Sequence, residues 1–189
     1  MMRARDRRIL PVGRASSAAG LLIGLVCLGS PVASVHADAT PSDMQIMARA
    51  LSFMQKPLSG EVGVGIVFAP GNPESARDAQ QVQRILGNGL RVGNLILRPV
   101  LVPISEVARA RVGLYFLTAG VSGQAQAVAA ASRARQIPCA TADLAQVRQG
   151  ICALGVRSQP RIEILVNRVA AQADGISFSM AFRMMITEL

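Results

Sequence analysis

The stretch Val62-Gly63-Val64-Gly65-Ile66-Val67-Phe68, followed by Ala69-Pro70-Gly71-Asn72-Pro73 and then Glu74 to Leu86 with Gly87, decides the fold class. Seven mostly apolar residues form a run too short for a helix core and too continuous for a half-exposed strand, which is the pattern of a strand buried on both faces. The Pro-Gly-Asn-Pro cluster is a turn. Ala79, Val82, Ile85 and Leu86 recur at helical spacing, and Gly87 is the stop. The unit reads strand, turn, helix.

The same alternation continues outward. Leu95 to Val102 is a second strand region, in which Pro99 points to a sheet edge or bulge. Val112 to Leu117 is a third strand, followed by the loop Thr118 to Gly123 and an Ala-rich helix from Gln124 to Arg135. Ile137 to Thr141 is a brief fourth strand, and Asp143 to Gln149 one or two helical turns. Ile151 to Val156 and Arg161 to Val166 pair around Arg157-Ser158-Gln159-Pro160. Arg168 to Ala173 forms a short helix, and Ser177 to Ile186 a closing one. Upstream, Ser42 caps a helix running to about Gln55. Strands alternating with helices predict an α/β three-layer sandwich with a mostly parallel, flavodoxin- or Rossmann-like sheet, a C-terminal β-hairpin and a final helix. In that last helix Phe178, Met180, Ala181, Met184 and Met185 read as inward-facing core. An adaptable methionine surface for a partner is the alternative.

The first 37 residues have a different character. Arg3, Arg5, Arg7, Arg8 and Arg14 precede an apolar run from Ala18 to Leu28, then Gly29-Ser30-Pro31 and the small-residue step Val35-His36-Ala37. That is the order of a secretory signal peptide, with cleavage between Ala37 and Asp38. The apolar core is about 11 residues where a membrane span needs roughly 20. The expected organisation is therefore a signal at 1–37 and one domain at 38–189, exported to the periplasm, without stable membrane insertion after cleavage.

Removing that segment changes the chemistry. The whole chain carries 20 Lys+Arg against 11 Asp+Glu, a net charge of +9. The mature part keeps 15 and 10, a mild surplus without a basic stripe, so nucleic acid is not an expected partner. The single histidine, His36, leaves with the signal. The commonest general base and the commonest metal ligand go with it, so catalytic residues, metal and cofactor are all expected to be none. Cys139 and Cys152 remain. An oxidising compartment and an even count favour a structural disulfide between them, worth roughly 3 kcal/mol for a loop of about 14 residues. A redox pair would have Cys-x-x-Cys spacing, and a metal site would have further ligands nearby.

No motif carries a reaction. Gly63 and Gly65 lie inside the strand and residue 68 is Phe, so the dinucleotide fingerprint fails. The two glycines instead indicate close packing of a helix on the sheet. Ser122 lacks both a Gly-x-Ser-x-Gly elbow and a histidine to activate it. Open α/β sheets bind ligands beyond the carboxyl ends of their strands. That makes Gly71, Asn72, Thr118, Gly120, Ser122 and Asp143 the candidate loop residues for a ligand or a partner. Turn chemistry alone also explains them, and for Asp143 the favoured role is a helix cap.

The layout of the mature region resembles the YfiR family of periplasmic regulators. The resemblance is carried by the leading amphipathic helix, the Gly71-Asn72-Pro73 turn, and the C-terminal third. That third contains Ile137-Pro138-Cys139-Ala140-Thr141-Ala142-Asp143, Gly150-Ile151-Cys152, Arg161-Ile162-Glu163-Ile164-Leu165-Val166-Asn167 and Gly175-Ile176-Ser177. Two departures are that Phe53 to Pro57 has no Trp and that Val112 to Leu117 has no Cys. The resemblance implies a non-catalytic protein that binds, and represses, the periplasmic domain of an inner-membrane diguanylate cyclase, with effects on cyclic-di-GMP and biofilm. It further implies that redox stress could act through Cys139 and Cys152. Self-association into a homodimer is a further option. The rival expectation is a periplasmic small-molecule binding module resembling half of a substrate-binding protein.

Overall fold

The computed structural model describes residues 38–121 and 123–189. The signal-peptide reading over 1–37, with Cys27, His36 and Ala37, lies outside those residues, as does Ser122.

The decisive stretch folds as read. Strand β1 runs Gly60–Phe68 and helix α2 runs Pro73–Leu86, after α1 at Pro41–Ser52. Asn72 caps α2, and Pro73 occupies a first-turn position where its missing N–H costs nothing. The cap of α1 corrects the expectation for Ser42. Thr40 is the cap, its Oγ1 accepting from Asp43 N at 3.1 Å while Asp43 Oδ2 accepts from Thr40 N at 2.8 Å. The reciprocal pair satisfies two otherwise orphaned donors, which a Ser42 cap would not.

The remaining elements are β2 (Leu90–Val92), β3 (Leu95–Pro103), a 3-10 turn (Ile104–Arg109), β4 (Leu114–Leu117), α3 (Ala125–Arg135), β5 (Cys139–Thr141) and α4 (Leu144–Arg148). Then come β6 (Leu154–Arg157), β7 (Glu163–Val166), α5 (Arg168–Ala173), α6 (Met180–Arg183) and β8 (Thr187–Glu188). The sheet order is β2-β3-β1-β4-β5-β6-β7-β8. Its centre, β3-β1-β4-β5-β6, is wholly parallel. Counted by parallel strands this is the order 2-1-3-4-5 of the flavodoxin-like winding. β6 and β7 form the expected hairpin, with Leu154 opposite Val166 and Arg157 opposite Glu163.

Side-chain alternation builds two cores. Val64, Ile66, Leu114 and Phe116 face α1, α2, α5 and α6. Val67, Tyr115, Leu117 and Cys139 face α3 and the 3-10 turn. The disulfide Cys139–Cys152 lies in the second core, its Cα atoms 4.7 Å apart and both residues fully buried. No helix of the described residues is long and apolar enough to cross a membrane.

Three details differ from the sequence reading. Gly65 is a site of close approach, but the neighbour is the segment leading into β4, while a Cβ on Gly63 would make only ordinary contact, 3.7 Å from Val100. A Cβ on Gly65 would sit 3.1 Å from Val112 Cγ2, and Gly113 N donates to Gly63 O at 2.9 Å. The closing helix is only one turn long. Across the expected span Phe178 and Phe182 are buried, whereas Met180, Ala181, Met184 and Met185 face solvent, and only Met180–Arg183 is helical. The four-residue helix turns one large side chain inward, Phe182, and Phe178 packs beside it from the preceding bridge with Met54. Finally, β2 and β8 are two or three residues long and left no periodic signature.

Candidate functional site

The chain leaves β1 toward one face of the sheet through α2 and leaves β4 toward the other through α3. The two loops, 69–72 and 118–124, therefore diverge from adjacent parallel strands. This is the topological switch point, where α/β sheets leave a crevice beyond the strand ends. A cleft of about 450 Å³ lies there, walled by Pro70, Gly71 and Asn72 on one side and Gly120, Val121, Gly123 and Gln124 on the other. Ile104 and Ser105 of the 3-10 turn after β3 complete it. No charged side chain lines it among the described residues. Its polar groups are the exposed Ser105 and Gln124 side chains, the Asn72 amide and the loop backbone.

The two walls are latched together. Asn72 Oδ1 accepts from Glu74 N at 2.9 Å, and Asn72 Nδ2 donates to Gly120 O at 2.7 Å. One side chain thus caps α2 and fixes the opposite loop. Gly120 has φ +74, and a Cβ there would sit 2.9 Å from Asn72 Nδ2. Only glycine meets both conditions.

Beneath the cleft lies a buried polar layer. Thr118 Oγ1 donates to Val67 O at 2.9 Å, joining the ends of β1 and β4. Since that uses its one hydroxyl proton, Ser75 Oγ is the donor in its 2.8 Å bond to Thr118 Oγ1. Ser75 Oγ in turn accepts from Ala69 N at 2.9 Å. Asp78, 2 % exposed, accepts from Ala39 N at 3.1 Å and from Ala119 N at 2.9 Å. Burial pushes its pKa up, against the lowering effect of those two N–H groups. Gln146 Nε2 donates to Thr118 O at 3.0 Å.

Of the sequence candidates, Gly71, Asn72 and Gly120 come together at the cleft. Thr118 does not line it, because the hydroxyl is buried and spent on Val67 and Ser75. Asp143 is not there either; its Oδ1 caps α4 through Ala145 N at 2.9 Å. Both placements have one cause, that these polar groups satisfy backbone donors and acceptors before any ligand arrives, and for Asp143 this is the capping role the sequence favoured. The sequence reading missed Ile104, Ser105, Ser75, Asp78 and Gln146. Asp78 did leave a signal, since a carboxylate beside Ala79 on the inward face of an amphipathic helix must find buried partners.

No family model matches the chain, and no curated protein matches it by sequence. Solved structures do match by fold. A conserved domain protein from Vibrio cholerae superposes with TM-score 0.54 at 13 % identity, over 78 % of this chain and 59 % of that one. An ABC domain in complex with L-Trp from Streptococcus pneumoniae gives 0.54 at 12 % identity, over 78 % and 60 %. A substrate binding protein with adhesive properties from Clostridium difficile, ligand-free and open, gives 0.50 at 10 % identity, over 80 % and 59 %. The chain thus spans about three-fifths of the length of these proteins. At such identities the likeness establishes a shared α/β fold.

Proposed function

We propose that this protein is an exported binding module that holds a small, neutral, polar molecule in the switch-point cleft. The observation that carries the reading is the cleft itself, at the crevice between β1 and β4, with walls fixed in advance by the Asn72–Gly120 latch. A preformed site loses little freedom on binding. The uncharged lining selects against phosphates and carboxylates, which would be desolvated there without a cationic side chain to pair them. Two of the similar folds belong to proteins described as binding a small molecule or substrate.

Native mass spectrometry of protein purified from its producing cells tests this reading. Wild type is expected to retain a stoichiometric neutral molecule. Gly71→Phe places a ring in the cleft at a position where a Cβ meets nothing within 4 Å, and it should lose the molecule while keeping its melting temperature. Equal retention by both proteins, or retention by neither, would overturn the proposal.

A second reading, the inhibitory regulator of an inner-membrane signalling protein, draws support from the sheet's open edge. Beyond Leu97, β3 has a neighbour only on the β1 side among the described residues. Val100 and Leu101 stand exposed there beside a groove bounded by Glu106, Arg109 and Arg111. A photo-crosslinker at Val100, activated in living cells, should capture a membrane protein. Recovery of uncrosslinked chain alone would count against a partner at that edge.

A further inference from the structure

We propose that Met180, Met184 and Met185 form a thioether site for a soft monovalent cation, copper(I), for which silver(I) is the redox-inert probe. Helix α6 is one turn, started by Ser179, whose Oγ accepts from Phe182 N at 3.4 Å. Met184 N donates to Met180 O at 3.2 Å, so these two residues stand one helical turn apart. Residues so spaced share a helix face, with Cβ atoms about 5–6 Å apart, within reach of one ion for two flexible thioethers. Met185 N donates to Phe182 O at 2.9 Å, so a third thioether leaves the backbone as the turn ends.

Packing does not account for these side chains. They are 70 %, 83 % and 66 % exposed, although methionine is usually among the buried residues. The segment's share of the core is supplied by Phe178 and Phe182, the latter stacked on Phe53 with ring centroids 5.0 Å apart. Arg183, the cation of the turn itself, is held by both oxygens of Glu188 at 2.7 and 2.9 Å, which offsets its repulsion of a bound ion; Arg148 and Arg161 border the groove that Met185 lines, and Glu163 stands in the same groove.

The ligand type selects the metal. Thioethers bind soft ions such as copper(I) and are poor ligands for magnesium, calcium or manganese. Competing thiolate and imidazole ligands are absent among the described residues: Cys139 and Cys152 are closed in the buried disulfide, and the sequence's one histidine is residue 36. Met44 and Met47 are fully buried. The sequence-level expectation of no metal rested on histidine, cysteine and carboxylates, which this site does not use. Binding involves no electron transfer, since the ion enters and stays monovalent.

The test is a titration of the purified exported protein with silver nitrate in chloride-free buffer, with the disulfide intact. It is followed by native mass spectrometry and by NMR of methionine methyl groups. One silver ion should bind per chain, shifting the methyl signals of Met180, Met184 and Met185 and leaving those of Met44 and Met47. A Met180→Leu, Met184→Leu double variant keeps the apolar area and removes two sulfurs. It should bind silver at least tenfold more weakly with an unchanged melting temperature. A surface built only for protein contact would be indifferent to that exchange. Absence of methyl shifts at millimolar silver, or equal affinity in the double variant, would overturn the proposal.

Discussion

Two buried aspartates, at opposite ends of the sheet, show how differently this chain treats its two ends. Asp78 and Asp174 are each 2 % exposed. At the cleft end, Asp78 has an N–H on each carboxylate oxygen, from Ala39 and Ala119. At the other end, near the start of β5, Asp174 has an Oδ2 without a partner. Burial pushes its pKa up to about 6, against the lowering effects of the Ser132 hydroxyl, Arg133 and the Cys139 backbone. A carboxylate whose oxygens are both satisfied is a structural tie. One left half-satisfied is a cost that grows as it ionises.

The comparison can be broken by experiment, most sharply at Asp78. Asp78→Ala orphans two buried N–H groups and should cost about 3 kcal/mol, measured by urea unfolding. Asp78→Asn, with a single acceptor oxygen, should cost less. If Asp78→Ala unfolds like wild type, the tie does not exist. Asp174 gives the next largest effect. Its folded pKa is above the unfolded value, so its contribution is fully present below about pH 4 and is lost as pH rises through about 6. The protein should therefore be less stable at pH 7 than at pH 4 by about 2–3 kcal/mol from this group. Asp174→Asn should flatten the profile. The residual slope of the same sign belongs to Asp78, whose pKa is also raised. An unaltered profile would remove Asp174 from the account.

Gly120→Ala comes third. It forces a side chain into φ +74 against the Asn72 amide. A loss of about 1–2 kcal/mol is expected, together with loss of the retained small molecule. Retention of the molecule at full occupancy would show that the latch is not needed for the cleft. The smallest effect lies at the far edge of the sheet. Arg183 and Glu188 form a close ion pair on α6 and β8, yet Arg183 is solvent-accessible and its gain is screened. Glu188→Gln should leave the melting temperature within experimental error. A clear drop would mean that the β8 edge is held as firmly as the cleft.

Local chemistry was legible wherever neighbours in sequence decide the outcome. The strand-turn-helix unit at 60–86, the hairpin at 154–166 and the Asp143 cap all follow from turn residues, caps and periodicity within a dozen positions. Gly71, Asn72 and Gly120 were legible as loop residues at strand ends. Their meeting at one cleft was not, because 48 positions separate Asn72 from its partner Gly120. The methionines were misread for a related reason. Spacing alone makes Met180, Met184 and Met185 look like core, and it cannot reveal that Phe178 and Phe182 already supply this segment's share of it.

The sequence by itself determined the α/β class, the two cysteines available for a disulfide, and the glycines and asparagines in the loops after β1, β4 and β7. These depend on backbone preference and on side-chain alternation, both local properties. Only the tertiary structure decided the strand order, and with it which two loops diverge to make a cleft. It also decided which polar groups are consumed beneath that cleft and which soft side chains remain outside the core. Each of those outcomes is a competition among distant groups for limited buried space and a limited set of hydrogen-bond partners.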